Sequence, residues 1–370
     1  MKRHFQGRTL RAITFSVVLG STVIAACGGG NSNSVDTVEA STTDTEVPTT
    51  EAPAIPTFPL TGTELANQDV MSRPALAAKI DNHPAARPQV GLNLADIVFE
   101  ENVEKLTRFA AVFHSLGSDP VGPLRSGRTQ DIDILGSFNK PLFAWSGGNA
   151  KVTNAVNSSD LVNVGWSASK GKGGYGRDNS RKAPHNLFAR TTDLWKLSPE
   201  GSSAPLAQFT YRSASDAVPT TATPIDGAKV SMDNVPVYWQ WDASKSLFLR
   251  STQNTRRVLE AHNTVSGETT EQVSAHNVVV LYVKYEASPA DPNSPEAQTI
   301  GTGTGFVLTN GAIIEVTWER ADRLMPFTLK DSAGAVVRMT PGRTWMLLAR
   351  DKKLAPVGVG VDPKTVDWPK

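Results

Sequence analysis

Cys27 is the only cysteine in a chain of 370 residues, and it follows directly on Ile24-Ala25-Ala26. One cysteine closes no intrachain disulfide and builds no thiolate metal knot. The fold therefore has to be held by its hydrophobic core, which a chain of this length can supply. The neighbours give this cysteine a use of its own. Lys2, Arg3, Arg8 and Arg11 form a basic start without acids, and residues 12–26 are apolar or small. That run is too short for a comfortable membrane span and fits an export signal. A branched apolar residue and two small ones ahead of the cysteine, with Gly28-Gly29-Gly30 behind it, have the form of a lipobox. Residues 1–26 are thus read as a lipoprotein signal peptide and Cys27 as the lipidated N-terminus of an exported protein. Such a protein is anchored to the outer face of the cell membrane without spanning it.

Charge bears on the partners. The chain carries +1 overall, but four of its 37 basic residues lie in the signal, which leaves 33 against 36 acids, about −3. General nucleic-acid binding needs a basic face and is not expected. Residues 27–58 are rich in Thr, Ser, Pro and acids, with no Lys or Arg and no aromatic before Phe58. This composition buries too little to offset ordering entropy and reads as a disordered acidic tether. Roughly 30 such residues give a coil of about 30 Å.

The folded part is expected to be α+β: a mixed α/β domain over 59–205, a linker over 206–224, and a β-rich sandwich or open barrel over 225–370. In the first part, Ala75–Ile80, Ala95–Val103, Thr107–His114 and Pro141–Trp145 read as strands, with a hairpin turn at Glu104-Lys105-Leu106. Helices are expected over about 130–138, capped by Thr129, and over 150–156. In the second part, residues 228–232, 237–241, 247–250, 277–284, 303–308, 312–319, 327–329, 335–339 and 344–348 read as short strands, with Asn310-Gly311 as a hairpin turn. Trp239, Trp241, Trp318 and Trp345 belong to it; they serve either as an aromatic sugar platform or as core, and alternating strands that need large inward residues favour core.

Three stretches carry candidate chemistry. The loop Pro120–Ile134 places Arg125, Ser126 and Arg128 between turn signals, where guanidinium groups can point into a cleft. Ser146-Gly147-Gly148-Asn149 joins a strand to a helix, either as a plain turn or as a nest of backbone N–H groups for an anion. The glycine-rich run 170–176 leads into Arg177–Asn186, with Arg181 and His185. No nucleophile elbow, P-loop or metal-ligand spacing is present; Gly301-Thr302-Gly303-Thr304-Gly305 lacks the lysine of a nucleotide loop. No cofactor and no metal are expected.

Lys79–His83, Ala86–Gln89, Ala95–Glu100, Thr107–Phe109, Gly122–Ser126 and Arg181–Asn186 together resemble the YerB-like family of bacterial lipoproteins. Asn277–Val280, Gly305, Trp318 and Pro341–Trp345 resemble that family's second, β-rich domain. The resemblance implies a two-domain, membrane-anchored extracytoplasmic protein and brings no catalytic residues with it. One departure is Gly127, where a small residue such as Ala is expected.

The residues themselves give one leading constellation: Asp81, His83, Arg108, Arg125, Ser126, Arg128, Arg181 and His185, with Ser146, Gly147 and Gly148 nearby. Arginines recognise carboxylate and phosphate through paired hydrogen bonds. This set is read as the binding site for an anionic cell-wall polymer or an envelope protein. The same arginines could instead be ion-paired with Glu100, Glu101, Asp131 and Asp133. A second reading is a cell-wall hydrolase or transferase in which Asp81 or Glu100 works with His83 or His185 as acid and base. A third is a protein-interaction module built on the β-rich part.

Overall fold

The computed structural model describes residues 56–370 apart from 66, 67, 214, 215 and 255. The signal, Cys27 and nearly all of the tether lie outside the described residues. Strands β1 (Leu76–Asp81), β2 (Ile97–Asn102) and β3 (Thr107–Phe113) form nearly unbroken buried runs, the polar Lys79, Glu100 and Glu101 included. Such runs mark strands covered on both faces. β2 and β3 are the expected hairpin, with Ile97 opposite Val112 and Glu101 opposite Arg108. β1 lies antiparallel on the far side of β3, with Asp81 opposite Arg108. Helix α1 (Gln130–Leu135) leads to β4 (Leu142–Ala144), which is parallel to β1. Helix α2 (Ala150–Asn157) leads to the short strand Val162–Asn163, parallel to β4.

Strands of the C-terminal part include β5 (Thr223–Met232), β6 (Val235–Asp242), β7 (Leu247–Gln253), β8 (Asn277–Tyr282), β9 (Gly301–Thr309) and β10 (Ala312–Arg320), with β11 (Thr344–Ala349) central to the sheet. Asn310 and Gly311, both at positive φ, close the hairpin between β9 and β10. The class is α+β, with a mixed N-terminal part and a β-rich C-terminal part. The order across the sheet is β7-β6-β5-β10-β9-β8-β11-β2-β3-β1-β4. β11 is parallel both to β8 and to β2, so one sheet runs through both parts of the chain. Each face has its own core. Leu76, Ala78, Ile80, Val98 and Trp345 pack on one; Ala77, Ile97, Phe99, Phe143 and Met346 pack on the other.

Two local expectations fail. Thr129 makes no capping bond; its hydroxyl bonds Ser288 Oγ at 2.7 Å and the Glu296 carboxylate. Asp131 takes over, its Oδ2 accepting from Arg128 N at 2.7 Å. Residues 335–339 form only isolated bridges, because the Asp331 carboxylate takes the Ala333 and Ala335 amides and closes a loop there. The four tryptophans of the β-rich part pack inside. Trp239, Trp318 and Trp345 are buried in the core, and Trp241 packs half-buried on Phe248 at 4.9 Å, so the four do not make up an exposed aromatic platform. In the stretch expected as a linker, Tyr211 OH donates to Leu60 O at 2.5 Å and Arg212 N to Met339 O at 2.9 Å.

A buried carboxylate sits where the two parts meet. Glu100 is fully buried and accepts three hydrogen bonds: from Arg250 Nη2 at 2.8 Å, from Thr107 Oγ1 at 2.9 Å and from Trp345 Nε1 at 3.0 Å. Arg250 also donates to Nδ1 of His262, whose Nε2 then donates to Gln89 Oε1 at 2.8 Å. On the opposite face, buried Lys79 is held by Glu101 and by Asp131, the latter at 2.7 Å. Burial lowers the Lys79 pKa to about 8, with Asp131 pulling the other way.

Removing one member of a buried pair leaves the other charge uncompensated and costs about 3–5 kcal/mol. Glu100→Leu is therefore expected to lower the unfolding free energy measured by denaturant titration by that amount, and adding Arg250→Met to recover most of it. A single variant within about 1 kcal/mol of wild type contradicts this role. A pH dependence follows from burial as well. Burial, with Arg73 and Arg343 as respective neighbours, lowers His114 and His276 from 6.5 to about 4; burial, then Arg250 and Arg87, holds His262 well below 6.5. Depressed histidines contribute stability that is present above pH 6.5 and lost as pH falls through 4. Asp96, raised by burial to about 6, and Asp133, raised by burial, act in the opposite sense, but they are two groups against three. The thermal midpoint is expected to fall steadily from pH 6.5 towards 4, and a flat profile contradicts it.

Candidate functional site

Strands β1, β4 and Val162–Asn163 run parallel, and their carboxyl ends lead into Asp81–His83, Ser146–Asn149 and the turn after Asn163. In open sheets of this kind, ligands bind outside the carboxyl ends of the strands. Register puts the first groups together: Asp81 and Arg108 are directly opposed on β1 and β3. The segment after Leu124 crosses these ends, with Arg125 N donating to Lys79 O at 2.8 Å and Ser146 N donating to Arg125 O at 3.0 Å.

A cleft of about 180 Å³ opens there, lined by Asp81, His83, Glu104, Arg108, Arg125 and His185. Asp81 is its anchor. One carboxylate oxygen accepts from His83 N at 3.0 Å; the other bonds His185 Nδ1 at 2.6 Å and lies 3.3 Å from Arg125 Nε. The His83 and His185 rings stack at 4.2 Å. With Nδ1 of His185 tied to Asp81 and Nδ1 of His83 accepting from Ala85 N, both Nε2 atoms are left to solvent or a ligand. Arg108 is half-buried and makes one hydrogen bond, from Nη1 to Ser126 O at 2.8 Å. Its pKa is lowered to about 10 by burial, then by the neighbouring Arg128 and Arg125, with Glu104 and Asp81 opposing; it stays charged at neutral pH. Among the described residues no group of three or more His, Cys, Asp or Glu is arranged to hold a metal.

The remaining expected residues divide. Ser126, Arg128, Ser146, Gly147 and Gly148 line a separate cleft of about 410 Å³, closed on its far side by Ser288, Asp291 and Ser294. Arg128 is neutralised there by Glu104 at 2.5 Å and bonds Ser294 Oγ at 3.0 Å. Arg181 clamps the loop instead, bonding Asp178 at 3.1 Å and the carbonyls of Ala86 and Pro88 at 3.0 Å each. The carboxylates expected as arginine partners are engaged elsewhere: Glu100 with Arg250, Glu101 and Asp131 with Lys79, and Asp133 near Arg320 and Arg323. The Ser146–Asn149 turn is a capped helix start, Asn149 Oδ1 accepting from Val152 N at 2.9 Å, while the amides of Gly147 and Gly148 donate to no protein group. Gly127 is a real constraint, since a Cβ there would meet the Trp145 ring at 2.6 Å. Sequence reasoning missed Glu104, whose turn position hid its pairing with Arg128.

The protein-family comparison matches residues 60–203 to the N-terminal domain of the protein of unknown function DUF3048, and residues 228–346 to the C-terminal domain of the same family. The chain is 28% identical over 311 residues to the Bacillus subtilis (strain 168) protein named "Putative lipoprotein YerB", covering 82% of this chain and 88% of that one. Its fold matches the crystal structure of YerB protein from Bacillus subtilis with a TM-score of 0.68 at 23% identity, over 81% of this chain and 99% of that one. With both domain models matched in order along the chain, this protein belongs to the YerB-like, DUF3048 family.

Proposed function

We propose that this is an exported, lipid-anchored protein whose small cleft binds one anionic group, a carboxylate or phosphate, of a cell-envelope polymer. The observation that carries the reading is Arg108 beside Arg125 at the cleft wall, with most of the Arg108 donors unused by the protein. A half-buried guanidinium crowded by others of its kind is stabilised by a bound anion, and its planar fork fits carboxylate or phosphate. The cleft is smaller than the usual roughly 300–1,000 Å³ of small-molecule sites, so it suits one charged group of a larger ligand. The lipid anchor rests on the lipobox at Cys27 and on the lipoprotein name of the Bacillus subtilis relative. Anchoring and a long tether would hold the cleft within reach of the wall.

Binding is favoured over covalent chemistry. Asp81 and His185 have the geometry of an acid–base pair, but the Ser126 hydroxyl makes no hydrogen bond to either histidine and lines the other cleft. A nucleophile needs its base within such reach.

The test is calorimetric titration of the detergent-solubilised full chain with peptidoglycan fragments bearing free carboxylates and with a glycerol-phosphate polymer. Charged hydrogen bonds contribute about 1.5–3 kcal/mol, so Arg108→Gln and Arg125→Gln should each weaken binding about 10- to 150-fold. Arg181→Gln should affect stability more than affinity. No saturable binding by wild type, or equal binding by the arginine variants, overturns the proposal.

A further inference from the structure

Beyond the anionic cleft, a groove of about 390 Å³ lies between the Ser146–Asn149 turn and Trp166, and no residue lining it carries a charge. Its walls are amides, hydroxyls, glycine backbone and indole. The polar groups are held in place from behind. Buried Trp145 donates its Nε1 to Asn163 Oδ1 at 2.8 Å, and Gly165 N donates to the same oxygen at 3.0 Å. This fixes the Asn163 amide, whose Nδ2 donates to Asn157 Oδ1 at 2.7 Å. Asn157 Nδ2 is left as an oriented, exposed donor. Gly165 is required for this arrangement, because a Cβ there would meet the Trp145 ring at 2.5 Å.

Trp166 is half-buried and set by its neighbours: Tyr175 packs edge-on at 5.9 Å, and the Arg177 guanidinium lies 5.4 Å from the ring centroid. Its indole N–H bonds no protein group, and neither do the hydroxyls of Ser146 and Ser167. The groove thus combines a fixed aromatic surface with several pre-oriented neutral donors and acceptors. A pyranose ring presents the complement: C–H groups on a face and hydroxyls around its rim. Pre-organised polar groups around one aromatic anchor are also what an affinity site needs.

We propose that this groove binds an uncharged sugar unit. It stands independently of the anionic cleft, and a glycan carrying acidic groups would engage both.

The experiment titrates neutral oligosaccharides of N-acetylglucosamine and of glucose against the full chain, following tryptophan fluorescence and calorimetric heat. At least one series is expected to saturate. Asn157→Ala, at an exposed position, and Trp166→Ala should each weaken it by about tenfold or more, while Arg108→Gln with Arg125→Gln should leave it within about twofold. Failure of every neutral saccharide to saturate overturns the proposal. So does binding that the groove variants leave unchanged, or binding lost only in the arginine variants, which would place the sugar in the anionic cleft. Because the arginine variants are read separately, a failed anionic site and a failed sugar groove give different patterns.

Discussion

Glu100 is a carboxylate with no access to water, and it is tolerable only because three donors converge on it. Two of them, Arg250 and Trp345, come from the β-rich part of the chain; the third, Thr107, comes from the adjacent strand. A charge buried in this way is costly unless fully hydrogen-bonded, so the two parts have to meet in one arrangement. The backbone repeats the same demand, because β11 pairs with β2 with Leu347 opposite Glu100.

The same network reaches the cleft. From Arg250 it passes through His262 to Gln89, whose Nε2 donates to Asp81 O at 2.9 Å. A second line runs from Glu100 through Thr107 to the Asn82 amide at 2.7 Å, and Arg87 donates to Asn82 Oδ1 at 3.0 Å. The turn that carries Asp81 and His83 is thereby braced from behind by residues of both parts. Binding groups supported by a second tier of hydrogen bonds lose less entropy when a ligand arrives. The β-rich part contributes a buttress to the cleft and, through Ser288 and Ser294, one wall of the neighbouring one.

The strands were legible from residue pattern, since short apolar-rich runs such as Leu76–Ile80 and Thr344–Ala349 have few other uses. The meeting of Asp81, His83, Arg108, Arg125 and His185 was legible too, because each stands at the end of a strand or on a loop between strands. Partnerships were not. Nothing near Glu100 points to Arg250, which lies 150 positions further on. Arg128 and Arg181 looked equivalent to Arg108 and Arg125, yet only contacts across the fold show that Arg128 is taken up by Glu104 and Arg181 by two backbone carbonyls, while Arg125 meets Asp81 in the cleft. Thr129 has the local signature of a cap, and a tertiary contact with Ser288 and Glu296 overrides it. Trp166 carried no periodic signal, since it sits in a turn whose shape is set by Trp145 and Asn163.

Both parts of the chain are expected to behave as one cooperative body whose shared interior holds the cleft in shape. Native-state hydrogen exchange reads this most directly, by comparing the opening free energies of amides in β2 and β3 with those in β8 and β11. The slowest amides of all four strands are expected to open together, with a common free energy and a common dependence on denaturant. Exchange of β2 and β3 through a separate, lower-energy opening that leaves β8 and β11 protected would contradict it.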